Sequence, residues 1–205
     1  VNSPMGGNYA LDPQGFIWKA REKKVSKVDA NTGDLVTSYI LKKFAGTYGS
    51  AMSADGRYFG GGAWPRDGVV VADAQTGEVY EPDTSHNSGP ARGEFDLNDN
   101  YWSAGRGGVL VKFDTKEKRI HEYPLPTPYA SMYTAMADKN GEVWGGEMHT
   151  GRYFRFDPKK EQFTEYVLPE PYGLDRESWI DNSTDPVTVW YVDHEGYIVR
   201  IQPTE

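Results

Sequence analysis

The loops that lead into successive repeated units of this chain carry the residues best suited to bind a ligand. Arginine binds carboxylates and phosphates with paired hydrogen bonds, and aromatic rings stack on cations and planar groups. We therefore predict a site for a small polar or anionic ligand, or for a protein partner, at the mouth of a central channel. The alternative is that these residues are solvated and held by their neighbours. The predicted ligand-binding residues are Asn8, Tyr48, Arg92, Glu94, Tyr133, Arg176 and Glu177.

Three residues are candidates for catalysis. His86 lies in a loop, and histidine is the side chain that ionises closest to neutral pH. Glu147 and His149 are two residues apart, so on a strand they would share one face and could hold a metal as a pair. No third ligand is evident, which favours a polar hairpin end, and we predict no metal site from the residues. The sequence contains no nucleophile elbow, phosphate-binding loop, zinc motif or dinucleotide fingerprint.

The elements that must position these residues repeat about every 42 residues. Large aromatic residues recur at intervals of 41, 43, 42 and 46 residues, and aspartates recur at intervals of 44, 41 and 43 residues. This period is the length of one four-stranded propeller blade. The aromatic series is Trp18, Phe59, Trp102, Trp144 and Trp190, and the aspartate series is Asp29, Asp73, Asp114 and Asp157.

The chain is thus predicted to be an all-β propeller of four-stranded antiparallel blades, about five in number. We treat residues 1–205 as one domain or fragment, with blades at residues 1–43, 44–84, 85–126, 127–169 and 170–205. The aromatic series should wedge between adjacent sheets. The aspartates should bind turn backbone, with calcium as the weaker alternative.

Closure of the ring is the open question in this architecture. The fifth unit stops before a fourth strand, and the first has no spare strand ahead of it. Either five blades close by an unusual clasp, or further blades lie upstream in a longer polypeptide. We favour the second, since a propeller leaves no long sheet edge open.

Composition excludes some classes of protein. The 205 residues include 22 basic and 30 acidic residues, a net charge of −8, which argues against a nucleic-acid surface. No apolar run is long enough to predict a membrane span. The absence of cysteine excludes disulfides and thiolate metal sites within this segment and fits an exported protein. We therefore predict a periplasmic or secreted location.

The repeat resembles that of the streptogramin lyases, the virginiamycin B lyase-like propellers. The fourth unit carries it best, through Pro128-Tyr129, the run from Asp138 to Trp144 and Glu147, Arg155-Phe156-Asp157, and Glu165-Tyr166-Val167-Leu168-Pro169. The resemblance covers nearly the whole chain and is looser in the second unit. Because the resemblance rests on the repeat consensus, it is more specific for the fold than for an activity.

The resemblance implies seven blades, of which this chain would supply five. It also implies a lyase that uses histidines at the blade entrances, a carboxylate and a divalent cation such as magnesium. At the corresponding positions this chain has Tyr129 and Tyr172. This departure argues against lyase activity from these five blades alone.

Three functional hypotheses follow. The first is a ligand-binding or protein-docking propeller module of an exported protein, whose partner could be the rest of its own propeller. The second is a lyase or hydrolase with catalytic groups partly outside this segment. The third is a subunit of an exported redox assembly with its cofactor on another domain.

Overall fold

The computed structural model describes residues 9–169, 175–193 and 196–203, and only the backbone of residues 175–177. Within these residues the chain is all β, with nineteen strands in five antiparallel sheets and no helix. These described residues accordingly include no helix of the length and hydropathy needed to cross a membrane. Each sheet is built from consecutive strands, as expected of propeller blades. The predicted fold class is confirmed.

Four sheets have four strands and the last has three. The first two sheets comprise β1 Ala10–Leu11, β2 Phe16–Arg21, β3 Lys24–Asp29, β4 Leu35–Ile40, β5 Ala51–Met52, β6 Tyr58–Gly62, β7 Val69–Asp73 and β8 Val79–Tyr80. The third and fourth comprise β9 Pro90–Phe95, β10 Tyr101–Gly105, β11 Val109–Asp114, β12 Arg119–Pro124, β13 Met136–Ala137, β14 Val143–Glu147, β15 Arg152–Asp157 and β16 Gln162–Val167. The fifth comprises β17 Asp175–Asp181, β18 Thr188–Asp193 and β19 Ile198–Ile201. We call these sheets blades one to five.

The hydrophobic core consists of four layers between successive blades. Separate clusters of buried residues join blade one to two, two to three, three to four, and four to five. Each thin sheet therefore buries side chains on both faces, which stabilises a repeat fold with a modest apolar content.

Three tryptophans occupy the predicted wedge position. Trp18, Trp102 and Trp144 are at most 1% exposed. Each indole Nε1 donates to the carboxylate six residues earlier, at 2.8 to 2.9 Å, and the acceptors are Asp12, Asp96 and Asp138. The other oxygen of each carboxylate accepts two backbone N–H groups of the adjoining turn. One aspartate thus shapes the turn and also satisfies the buried indole.

Blade two departs from the predicted series by one residue. In blades one, three and four, the strand partner of the tryptophan comes two residues before the aspartate of the predicted series. In blade two, the residue that pairs with the position two before Asp73 is Gly60 and not Phe59. The turn before β6 closes from Ser53 to Tyr58, one residue longer than the turn from Asp12 to Phe16. A shift of one residue moves a side chain to the other face of a strand. Phe59 therefore packs toward blade one, against Trp18.

A side chain at Gly60 would have no room. A Cβ there would lie 2.5 Å from the Tyr101 ring and 2.8 Å from the Phe95 ring of blade three. Those two rings fill the space that an indole occupies between other blades.

Trp190 is also an exception to the prediction. It pairs with Arg200 in the same register as the buried tryptophans, yet it is 37% exposed. Its neighbour Val189 packs toward blade four, so Trp190 points to the opposite side. No described sheet covers that side.

The second aspartate series binds turn backbone, as predicted. Oδ1 of each residue accepts N–H groups two and three residues later in the turn between the third and fourth strands. These residues are Asp29, Asp73, Asp114 and Asp157. Backbone donors thus occupy one oxygen of each carboxylate.

A third repeated contact joins blades two, three and four to the loops that precede them. Glu81 accepts the backbone N–H groups of Lys42, Lys43 and Phe44. Glu122 and Glu165 accept the backbone N–H and the side-chain hydroxyl of Ser85 and Thr127 in the same way. The outer strands therefore help to fix the loops that carry the candidate site.

Candidate functional site

An aromatic cluster forms at one end of the channel from loops far apart in sequence. The hydroxyl groups of Tyr48 and Tyr133 are 2.5 Å apart, and their rings meet edge to face at 6.0 Å. Trp64 contacts Tyr48 edge to face at 4.9 Å. Tyr48 precedes β5, Trp64 follows β6, and Tyr133 precedes β13.

Two guanidinium groups lie over these rings. The Arg92 Cζ atom is 5.0 Å from the Tyr133 ring centre and 5.9 Å from that of Tyr48. The Arg106 Cζ atom is 5.6 Å from the Tyr133 ring centre and 5.7 Å from that of Trp64. Tyr133 therefore lies against both cations. We call Tyr48, Trp64, Arg92, Arg106 and Tyr133 the channel-mouth cluster.

Arg106 has no described counter-ion. It is half-buried in the turn between β10 and β11, and no described carboxylate lies within ion-pair distance of its guanidinium. A cation held on aromatic rings without a carboxylate keeps its hydrogen-bond donors available for an incoming anion. This stands out in a protein of net charge −8.

Backbone hydrogen bonds connect the segments that carry the cluster. The Arg92 N–H donates to the Tyr133 carbonyl at 3.2 Å, and the Tyr48 N–H donates to the Gly62 carbonyl at 2.7 Å. The Trp64 N–H donates to the Pro90 carbonyl at 2.9 Å. The cluster is therefore held by backbone contacts as well as by its own ring contacts.

Glu94 lines the channel below the cluster. It follows Arg92 by two residues on β9, a strand whose pairing with β10 shifts register between Gly93 and Pro90. Both residues border an open cavity of about 410 Å³ to which all five blades contribute. The rest of its lining is Tyr9, Gly49, Ser50, Gly93, Thr134, Met136 and Ser178.

The surroundings of Glu94 favour its protonated form. Its side chain has exposed surface, but the channel walls crowd it, and the resulting loss of water raises the pKa of its carboxyl to about 7. The exposed surface keeps part of the hydration of the carboxyl, which opposes the rise. Among the described residues that line the channel, Glu94 therefore has the pKa best suited to a general base.

Glu147 and His149 do not form the pair that a shared strand would give. The strand β14 ends at Glu147, and His149 lies exposed in the following turn. Glu147 is fully buried and accepts a hydrogen bond from the Thr150 hydroxyl. Burial raises the pKa of Glu147 to about 7; the Thr150 bond opposes the rise, and the Glu165 carboxylate adds to it. The favoured interpretation, a polar hairpin end, agrees with this geometry.

His86 lies on the rim rather than in the cluster. Its side chain is 89% exposed, and its Nδ1 is 3.6 Å from Asp67 Oδ2. The Asp67 carboxylate accepts the N–H groups of Asn87 and Gly89, which fixes this loop. A general base needs a fixed geometry beside substrate, and these contacts give His86 no such place.

Three predicted residues fall outside what the structure describes. Asn8 lies outside the described residues, as do the side chains of Arg176 and Glu177. Of the predicted set, the structure brings together Tyr48, Arg92 and Tyr133, with Glu94 deeper in the channel.

Sequence reasoning missed Trp64 and Arg106. It considered only the loops between blades, whereas these two residues lie in the turns after the second strand of blades two and three. Those turns open on the same end of the propeller as the inter-blade loops. The sequence signal that could have identified them is that Trp64 and Arg106 occupy equivalent turns of neighbouring repeats.

The described residues do not fit the magnesium centre that the family resemblance implies. Asp114, Glu117 and His121, on the outer hairpin of blade three, are the one described group of three possible ligands close enough to share an ion. Lys112 already binds Asp114 at 3.0 Å, and two backbone N–H groups occupy its other oxygen. These contacts neutralise Asp114, and no channel residue belongs to the group.

Comparisons with known proteins support the fold. No family model and no curated protein matches the sequence. Virginiamycin B lyase from Staphylococcus aureus superposes with a TM-score of 0.77 at 16% identity, over 97% of this chain and 71% of the lyase. A streptogramin B lyase gives 0.73 at 20% identity, over 96% of this chain and 68% of that one. The β-propeller domain of Myceliophteria thermophila Cps50 (Swd1) gives 0.75 at 15% identity, over 98% and 67%.

The fold suggested by the repeat is therefore shared with streptogramin lyases. It is also shared with a propeller domain described by a quite different name, so the likeness extends to architecture alone.

Proposed function

We propose that this propeller binds a small organic anion at the channel mouth. The observation that carries the proposal is the half-buried Arg106, held on Trp64 and Tyr133 without a described counter-ion. Arg92, over the same tyrosine, adds a second positive charge. A ligand with a carboxylate and a flat ring would place its charge on the guanidinium groups and its ring against Tyr48 or Trp64.

The proposal is tested with benzoate, and benzamide serves as the uncharged analogue of the same shape. We expect benzoate to quench tryptophan fluorescence at lower concentration than benzamide, because only benzoate carries the charge. Arg106→Gln should weaken benzoate binding by about tenfold, the loss of one charge-assisted contact. Arg119→Gln is the control, because Arg119 is the exposed first residue of the outer strand β12 and pairs with Glu117.

Equal binding of benzoate and benzamide would contradict the proposal. So would wild-type benzoate affinity in the Arg106→Gln variant. If the cluster served only to hold the loops together, Arg106→Gln would lower the stability of the protein, and benzoate would bind no more tightly than benzamide.

A second candidate function is acid–base catalysis of the lyase or hydrolase type. Glu94 favours it, because a channel-facing carboxyl whose pKa is raised to about 7 can exchange protons near neutral pH. Its catalytic partners would lie partly outside this segment. Glu94→Gln would abolish such activity in the whole protein while leaving benzoate binding intact.

The wider setting is also a proposal. We place the protein in the periplasm or outside the cell, a choice supported by the absence of cysteine. A protein partner at the channel mouth is the alternative occupant of the site. A redox assembly remains a sequence-based prediction that no structural observation favours.

A further inference from the structure

A second open cavity adjoins the channel mouth. It has a volume of about 460 Å³ and is bordered by the end of β2, by residues 44–48 and by residues 63–66. Its described lining includes three basic residues and no acidic one, and the basic residues are Lys19, Arg21 and Arg66. We call this cavity the basic groove. Its lining makes it locally positive in a protein whose net charge is −8.

Two of these cations have no described counter-ion. No described carboxylate lies within ion-pair distance of the Lys19 ammonium or of the Arg66 guanidinium. By contrast, the Lys27 ammonium, on the same blade as Lys19, lies 3.3 Å from the Asp12 carboxylate. A concave surface that carries charges of one sign focuses the electric field and concentrates ions of the opposite sign. The basic groove is therefore suited to an acid group of a ligand.

The basic groove shares a wall with the channel-mouth cluster. Tyr48 and Trp64 belong to the cluster, and both also line the groove. The Arg106 Cζ atom is 5.7 Å from the Trp64 ring centre, and Trp64 is 38% exposed. Arg66 follows Trp64 by two residues, and its N–H closes the turn on the Ala63 carbonyl at 2.9 Å. Trp64 therefore contacts one cation, borders the groove that holds another, and retains surface for a ligand.

Arginines from three successive blades lie at this end of the propeller. Arg21 ends β2, Arg66 lies between β6 and β7, and Arg106 directly follows β10. Each is thus at the connection between the second and third strands of its blade, and equivalent connections open on the same end of a propeller. The positive charge therefore extends across blades one, two and three, which suits an anion longer than a single acid group.

We propose that the ligand of the channel mouth is an elongated dianion with a planar middle part, whose second acid group binds in the basic groove. This rests on the proposed function, which places the first acid group on Arg106 and Arg92. The planar middle part would lie against the exposed surface of Trp64, because aromatic rings stack on one another. Arg66 and Lys19 would bind the second acid group through charge-assisted hydrogen bonds.

The proposal is tested by calorimetric titration with pairs of rigid probes that differ by one carboxylate. The dicarboxylates are terephthalate, para,para′-biphenyl dicarboxylate and para,para′-stilbene dicarboxylate, and each is compared with the corresponding monocarboxylate. Different lengths are used because the two acid groups must reach both cation sites at once. We expect at least one dicarboxylate to bind about tenfold more tightly than its monocarboxylate, against the about twofold that two equivalent ends give by statistics alone.

Arg66→Gln identifies the site of the second acid group. The substitution should remove most of the advantage of the dicarboxylate, because the guanidinium that pairs with the second acid group is lost. Arg119→Gln is the matched control, since it removes the same charge from the exposed first residue of the outer strand β12. Thermal unfolding of both variants checks that each keeps the fold of the wild-type protein.

Two results would overturn the proposal. One is binding of every dicarboxylate within about twofold of its monocarboxylate. The other is an advantage that Arg119→Gln lowers as much as Arg66→Gln, because the advantage would then come from the overall charge of the protein. If either result is found while benzoate still binds more tightly than benzamide, the proposed function stands and only the role of the basic groove is ruled out. Equal binding of benzoate and benzamide would rule out both.

Discussion

At the scale of single residues, each buried indole is held by contacts of different kinds. Trp144 is fully buried, donates to Asp138 at 2.9 Å and stacks on Tyr166 at 5.9 Å. Its ring also packs in the layer between blades four and five. Removing the side chain would open a cavity and leave a buried carboxylate oxygen without its donor.

Trp144→Ala should lower the free energy of unfolding by roughly 3–5 kcal/mol, mainly through the cavity. Denaturation in urea, followed by circular dichroism, measures it. The matched control is Trp190→Ala in the 205-residue chain, where the residue is partly exposed and the loss should be smaller. Equal losses at the two positions would show that burial does not set the cost.

The same residues show what sequence could and could not predict. The spacing of Trp18, Trp102 and Trp144 sufficed to predict buried wedges, because burial of an indole at a fixed period requires equivalent sheets. The spacing failed at Phe59, since an interval cannot reveal that the preceding turn is one residue longer. In a strand, one residue decides which face a side chain takes.

The candidate site was also predictable only in part. The chemistry of Tyr48, Arg92 and Tyr133 and their predicted position in loops between blades sufficed to bring them together at one end of the channel, although the structure has Arg92 on the strand β9. The contact of Arg106 with Tyr133 depends on how two turns meet in space, and neither residue type nor period encodes that.

At the scale of elements, the loops that carry the site depend on carboxylates of the outer strands. Glu81 accepts three successive backbone N–H groups from Lys42 to Phe44, at 2.7 to 3.0 Å. That segment leads directly to Tyr48. The outer edge of blade two thus supports the channel mouth through the loop.

Glu81→Ala should destabilise the protein by about 1–3 kcal/mol, because it leaves these donors without their acceptor. Hydrogen exchange at residues 42–44 should accelerate more than exchange in β7. Asp83→Ala is the control, because the described contact of this exposed side chain is a surface ion pair with Lys43, and the substitution keeps the backbone bridge to Gly68. Unchanged exchange at residues 42–44 would show that the loop is held by other contacts.

At the scale of the whole molecule, two sets of carboxyl groups give stability opposite dependences on pH. Burial would raise the pKa of Asp12, but hydrogen bonds from Trp18 and the Phe16 N–H and the charge of Lys27 outweigh it and lower the pKa. The stability that Asp12 contributes is present above its unfolded pKa and is lost as pH falls through the lower folded value. Glu147 acts in the other direction, since burial raises its pKa from 4.5 to about 7.

The folded protein therefore holds a proton on Glu147 that the unfolded chain releases above pH 4.5. The free energy of unfolding should fall as pH rises from about 4.5 to 7, with a slope of at most about 1.4 kcal/mol per pH unit for this group. Glu147→Gln keeps an acceptor for Thr150 and removes the ionisation, so it should flatten the slope and be more stable than wild type at pH 8. Urea denaturation at pH 5, 6, 7 and 8 measures both effects, and Glu161→Gln, in an exposed turn, is the control. A Glu147→Gln slope equal to that of wild type would assign the dependence to another group, with the channel-facing Glu94 the first to examine because its pKa is raised in the same direction.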